Sequence, residues 1–224
     1  MPSVLVSGAS RGIGRGLVAR FARAGWTVLA CAREPGAIDL EGSGIERFAL
    51  DVTDPESVAR LARALSGRPL DVLINNAGVY GPRETRLGAI DYDAFRAVLE
   101  TNTLGPVRLT EALLANLRAG ERKTVVTLSS IMGSIALATS PGGLLYRTSK
   151  AAVNMAMRSI AAELAAEGFT VVVVHPGWVR TDMGGPGATL SVAESAEHLF
   201  RLIDRLRPSA NGRFFAHDGR ELPW

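Results

Sequence analysis

"SVLVSGASRGIGRGLVARFARAG", residues 3–25, changes character twice along its length. Residues 3–7 form a short apolar run of the kind a buried strand uses. Residues 14–25 carry Leu17, Val18, Phe21 and Ala24 on one helical face, and Gly25 ends the pattern. Between them, "SGASRGIG" (7–14) places Gly8, Gly12 and Gly14 four and two residues apart. A strand that turns through glycines into a helix presents N–H groups at a helix N-terminus, where the dipole favours an anion. Glycine leaves room for a phosphate to approach that backbone. The spacing G-x-x-x-G-x-G departs from the G-x-G-x-x-G fingerprint, and a tight turn without a ligand is the alternative. A glycine loop that follows a first strand and opens a first helix points to dinucleotide binding.

The rest of the chain repeats the alternation. Strands are expected at 26–32, within 44–52, at 70–78, 123–130, 169–177 and 212–217. Helices are expected at 54–65, behind an Asp cap and Pro55, and at 146–168 and 191–206. A long helix is expected over 91–120, bent or interrupted at Pro106. Apolar strands that alternate with helices imply an α/β fold: a parallel sheet of about seven strands with helices on both faces. No linker divides the 224 residues, so one doubly wound, Rossmann-type domain is expected, with a cofactor half near 1–130 and a catalytic and substrate half near 131–224.

Composition narrows the function. The net charge of +3 comes from arginine spread over the whole length, without a run of five like charges, so neither a nucleic-acid arm nor a membrane patch is indicated. The single cysteine, Cys31, permits no internal disulfide and reads as a small core residue. His175, His198 and His217 lie far apart without metal-ligand spacing, so no metal is expected. There is neither a signal-peptide pattern nor an apolar window long enough to span a membrane. The expected location is the cytoplasm.

The end of the second strand reads "CAREP" (31–35). NAD binders usually place an acidic residue there for the ribose hydroxyls. Here Ala32 is followed by Arg33, and Arg11 stands in the glycine loop. Two guanidiniums suit a 2′-phosphate through charge-assisted hydrogen bonds, so NADP is preferred over NAD. Glu34 is the opposing signal.

Further stretches fall in order: "NNAG" (75–78), "TNTLG" (101–105), "SS" (129–130), "YRTSK" (146–150) and "PGWVRT" (176–181). With the glycine loop, they resemble the short-chain dehydrogenase/reductase family from about residue 3 to residue 182. The tail "NGRFFAHDGRELPW" and the wording "YRTSKAAVNM" are similar to its C-factor-like and sniffer-like carbonyl reductase branch. The resemblance implies hydride transfer between a nicotinamide and an alcohol or carbonyl. It places the catalytic residues on Asn102, Ser130, Tyr146 and Lys150. It places cofactor contacts on Gly8, Ser10, Arg11, Gly12, Ile13 and Gly14, on Asp51 and Val52, and on Asn76, Ala77 and Gly78. Pro176, Gly177, Val179 and Thr181 would face the nicotinamide. Ser7 stands where threonine is more frequent in the family. Ser130 lies sixteen residues before Tyr146, more than the family's usual dozen, and Ser134 is its rival at spacing twelve.

The lysine is conspicuous, because only Lys123 and Lys150 break the chain's use of arginine. Tyr146 and Lys150 are four apart and share a helical face. An ammonium beside a phenol lowers its pKa from about 10 towards the range useful for proton transfer. In this scheme Tyr146 exchanges the proton, Ser130 stabilises the carbonyl oxygen, Lys150 also anchors the nicotinamide ribose, and Asn102 holds a water. The apolar segment 131–145 and the Gly/Pro-rich segment 178–190, which reads as a lid, suggest a small or medium apolar carbonyl substrate. Helices 91–120 and 146–168 are the candidates for a homodimer interface, by analogy. Two rivals are a non-enzymatic NADP-binding sensor of the same fold and a Rossmann protein that uses another nucleotide, such as a methyltransferase.

Overall fold

The computed structural model of the protein describes residues 1–42 and 44–224. Its seven strands are β1 (Ser3–Ser7), β2 (Thr27–Ala32), β3 (Ile45–Ala49), β4 (Val72–Asn75), β5 (Thr124–Leu128), β6 (Thr170–His175) and β7 (Phe214–Ala216). They form one sheet in the order β3-β2-β1-β4-β5-β6-β7. Every pairing is parallel, with Leu5 opposite both Leu29 and Leu73. The chain winds outward from β1 to β3, then returns to the centre and winds the other way from β4. The carboxyl ends of β1 and β4 flank that reversal, where doubly wound sheets bind ligands.

Seven helices cover the sheet: α1 (Gly12–Arg23), α2 (Pro55–Ala64), α3 (Tyr92–Leu99), α4 (Gly105–Ala112), α5 (Leu114–Ala119), α6 (Leu144–Glu163) and α7 (Val192–Arg205). Their starts follow local chemistry. Asp54 caps α2 by accepting the N–H of Glu56, and Ser191 and Glu194 form a reciprocal capping box on α7. The strand pleat sends alternate residues to two separate cores. Val4, Val6, Val28, Val126 and Val172 pack under α1 and α7 with Leu17, Phe21 and Leu199. Leu5, Leu29, Leu73, Val125 and Val171 pack on the other face with Leu61, Leu109, Val153 and Met157.

The expected long helix over 91–120 is three helices. A π-helical turn at Glu100–Leu104 separates α3 from α4, and Gly105 donates to the carbonyl of Glu100. Pro106 supplies the reason: it has no N–H for the carbonyl of Asn102, and its ring would strike that carbonyl in a regular helix. A second break at Leu113 starts α5. The expected helix over 146–168 begins earlier, at Leu144 behind Gly143 with φ +67, and its α-helical part ends at Glu163. No described helix is long and apolar enough to cross a membrane.

Phe21 is fully buried and meets Trp26 and Phe200 edge-on, each with centroids 4.9 Å away. Phe21→Ala is expected to cost about 3–5 kcal/mol from lost burial and the cavity left behind. Urea unfolding of both proteins measures it, and an unchanged midpoint contradicts the packing described.

Candidate active site

A cleft of about 780 Å³ opens at the sheet reversal. Of the residues named from sequence, it is lined by Gly8, Ser10, Arg11, Gly12, Ile13, Gly14, Arg33, Asp51, Val52, Asn76, Ala77, Gly78, Tyr146, Lys150, Pro176 and Thr181. Four of the named residues stand outside the lining. Asn102 and Ser130 lie behind it. Val179 is buried, and its backbone bridges to Leu190. Gly177 has φ +89 and packs towards Leu190 and His217.

The β1–α1 loop is built to lie close to β4. Gly8 and Gly12 adopt φ +67 and +53, which favour glycine. A Cβ at Gly14 would strike the carbonyl of Gly8 and stand 2.5 Å from the Asn76 amide nitrogen. The Ser7 hydroxyl accepts the N–H groups of Asn76 (3.0 Å) and Ala77 (3.1 Å). The Asn76 side chain donates to the carbonyls of Ser7 (2.8 Å) and Gly8 (3.0 Å). Asn76 therefore fastens the loop as well as lining the cleft.

Two cationic side chains stand at the adenine end of the cleft expected from sequence. Arg33 is exposed and makes no ion pair among the described residues. Arg11 is exposed and pairs with Asp182, across the cleft from the glycine loop. Asp51 accepts from the Thr53 hydroxyl (2.7 Å) and N–H (2.9 Å). Those bonds and the nearby Arg33 charge hold its carboxyl below the ordinary carboxylate range.

At the other end, the Lys150 ammonium donates to the carbonyl of Leu128 at 2.9 Å and lies 5.7 Å from the Tyr146 ring centroid. Ser130 stands near the Tyr146 hydroxyl and favours its ionised form. Ser130 follows β5 by two residues and caps the next turn by accepting the Met132 N–H at 3.1 Å. Ser134 faces away: its hydroxyl donates to the carbonyls of Pro223 (2.8 Å) and Trp224 (3.0 Å). The turn at 131–133 brings that about, and sequence spacing could not choose between the two serines.

One expectation from sequence is corrected here. Tyr146 was expected to be depressed by Lys150. Burial instead pushes it up to about 12, against a smaller lowering by nearby Ser130. The same burial pushes Lys150 down to about 8. Desolvation disfavours both charged forms. The Asn102 side-chain amide accepts the Val79 N–H (2.8 Å) and donates to the Val79 carbonyl (2.8 Å) and the Ser149 hydroxyl (3.0 Å). That side chain pins the loop after β4 to α6.

The histidines are nearer to one another than their spacing suggests. His198 and His217 face each other through their Nδ1 atoms at 2.9 Å. His175 is pushed down to about 4 by burial and by the charge of His217. Among the described residues, no group of three His, Cys, Asp or Glu side chains could hold a metal. Cys31 is buried, and burial raises its thiol pKa.

Sequence reasoning passed over Tyr80, Arg83 and Asp182. Arg83 donates to the carbonyl of Met183 at 3.0 Å, and Trp178 Nε1 donates to that of Gly184 at 2.8 Å. The 178–190 segment expected as a lid is thus tied at several points. No periodicity marks such loop contacts.

Comparison with known proteins agrees with this geometry. A model of the family described as short chain dehydrogenase matches residues 2–188. Over 156 residues, 70% of this chain, the sequence is 50% identical to C-signal of Myxococcus xanthus, of which 93% is covered. The carbonyl reductase Sniffer of D. melanogaster is 32% identical, with TM-score 0.92 and 100% of both chains covered. A carbonyl reductase from Pseudomonas aeruginosa PAO1, solved in complex with NADP, is 37% identical, with TM-score 0.86 and 100% of both chains covered.

Ser7→Ala leaves two partly buried N–H groups without their acceptor, and each such loss costs up to about 1–3 kcal/mol. Chemical denaturation should therefore show a marked fall in stability, whereas a variant as stable as the parent would mean the two strand ends are held otherwise.

Proposed function

This chain belongs to the short-chain dehydrogenase family, and from that premise we propose that it is an NADP(H)-dependent carbonyl reductase. The observation that carries the proposal is convergence: Tyr146, Lys150 and Ser130 meet at the end of β5, beside the cleft opened by the glycine loop. The cleft's glycine cradle and its two arginines fit a phosphorylated dinucleotide. Arg33 makes no ion pair among the described residues, and Arg11 can exchange the Asp182 carboxylate for phosphate. The NADP complex of the similar P. aeruginosa reductase supports the same choice.

The bound nicotinamide cofactor supplies the hydride. Tyr146 keeps its proton at neutral pH, because burial holds its pKa high, and donates it to the carbonyl oxygen. Ser130 directs that hydroxyl and shares the developing charge on the oxygen. Lys150 brings a buried positive charge to the same place and favours the phenolate left behind. Asn102 holds the Val79 loop against α6, which keeps Gly78 beside Lys150: a Cβ there would lie 3.7 Å from the ammonium. Val79, Trp178 and Met183 expose apolar surface near this end, which suits an apolar carbonyl compound. Leu104 and Met155 are exposed on the helices expected to pair two copies.

The 50% identity to C-signal favours a second function, signalling by an NADP-binding protein without turnover. The retained Tyr146, Lys150 and Ser130 weigh towards catalysis.

NADPH oxidation with a panel of aldehydes, ketones and quinones separates the two. Tyr146→Phe should lower kcat at least about a hundredfold, the size of a general-acid contribution. Ser130→Ala should lower the rate while Ser134→Ala acts mainly on stability. Tight NADPH binding with no turnover by either Tyr146 form would establish the signalling function.

The reduction rate should also fall as pH rises through about 8. Lys150 loses its charge there, while Tyr146 remains protonated to about 12. A rate that instead climbs from pH 7 to 10 would show that the tyrosinate is required.

A further inference from the structure

Tyr80 follows the "NNAG" segment by two residues and lies in the loop between β4 and α3. Its ring is stacked on the ring of Tyr146, with centroids 4.6 Å apart and planes inclined by 23°. The Arg83 guanidinium stands over Tyr80, 5.5 Å from its centroid. Arg83 also donates to the carbonyl of Met183, a residue of the cleft wall. The far end of Tyr80 meets the start of α6, the helix that carries Tyr146. A Cβ at Gly143 would sit 3.1 Å from the Tyr80 hydroxyl, and Gly143 is held at φ +67. Tyr80 is thus fitted between the catalytic ring, the helix that bears it, and an arginine bound to the opposite wall.

We infer that Tyr80 is a positioning residue for Tyr146. A phenol side chain turns about two bonds, and a hydrogen bond at its tip leaves the ring free to roll and tilt. Ser130 stands beside the tip. The stacked ring of Tyr80 holds the face, as offset aromatic pairs do. Together they fix where the proton points, which matters because misplacement of a reacting group by about 1 Å can cost about a hundredfold in rate. Arg83 joins this wall to the 178–190 segment, so that the cleft edge and the proton donor move as one. The inference rests on Tyr146 as the proton donor of the proposed reductase.

The test compares Tyr80→Leu with Tyr80→Phe in the full chain with NADPH. Tyr80→Leu should lower kcat for a carbonyl substrate about tenfold or more, with the NADPH Kd unchanged within a factor of about two. Tyr80→Phe, which keeps the ring, should recover most of the loss. The chain has three tyrosines, so carbon-13 labelling at tyrosine Cζ gives one resonance each, and Tyr146→Phe assigns the catalytic one. That resonance should move in Tyr80→Leu and stay in Tyr80→Phe.

Four results overturn the inference. A Leu variant as fast as the parent or faster makes Tyr80 inert or a plug. Equal losses in Leu and Phe assign the effect to the hydroxyl. NADPH affinity that falls in proportion to kcat points to a damaged cleft. An unmoved Tyr146 resonance in the Leu variant means the rings do not stack. Should the parent reduce no carbonyl, the reductase proposal fails by itself, and the resonance alone decides whether Tyr80 holds Tyr146.

Discussion

The Ser7 hydroxyl receives the N–H groups of Asn76 and Ala77, and the Asn76 amide answers by binding the carbonyls of Ser7 and Gly8. These four bonds join the carboxyl ends of β1 and β4, where the winding of the sheet reverses. At that point helices leave in opposite directions and the sheet end is left open as a crevice. Backbone groups exposed there must be paired with something other than a neighbouring strand. Ser7 and Asn76 pair them, and in doing so set the distance between the glycine loop and β4. Gly14 has to be glycine for the same reason, because a Cβ would occupy the space through which Asn76 reaches Gly8.

Further along the cleft, burial governs the chemistry. Tyr146 and Lys150 are both almost wholly buried, so each is pushed towards its neutral form. A pair of exposed residues at the same spacing would be pushed the other way, by attraction between ammonium and phenolate. The buried arrangement keeps a protonated phenol beside a lysine whose pKa is lowered to about 8. The hydrogen bond from Lys150 to Leu128 offsets part of the cost of burying the lysine.

The interrupted helix opposite has the same logic. Pro106 breaks the regular ladder, the π turn absorbs the extra residue, and Asn102 is carried inward to where it can bind Val79 and Ser149. Such turns often mark functional positions because they redirect one side chain without ending the helix. Here the redirected amide locks the loop after β4 to α6, and that loop also carries Tyr80.

Much of this was written in local pattern. The period of the apolar residues specified the strand and helix order, the glycine loop marked the cleft at the sheet reversal, and Asp54 and Pro55 announced a helix start. Those features depend on residues close in the chain, so their physics is visible there. Tertiary structure decided the rest. It tied Ser134, the rival of the favoured Ser130, to Pro223 and Trp224 by turning the chain at 131–133. It reversed the expected tyrosine shift, because desolvation depends on how completely the fold covers a group. It brought the Asn102 amide to Val79 and Ser149. It laid Tyr80 on Tyr146 and brought His198 to His217, contacts between segments 66 and 19 residues apart. Spacing along a chain measures reach within one element, and these contacts depend on where different elements end in space.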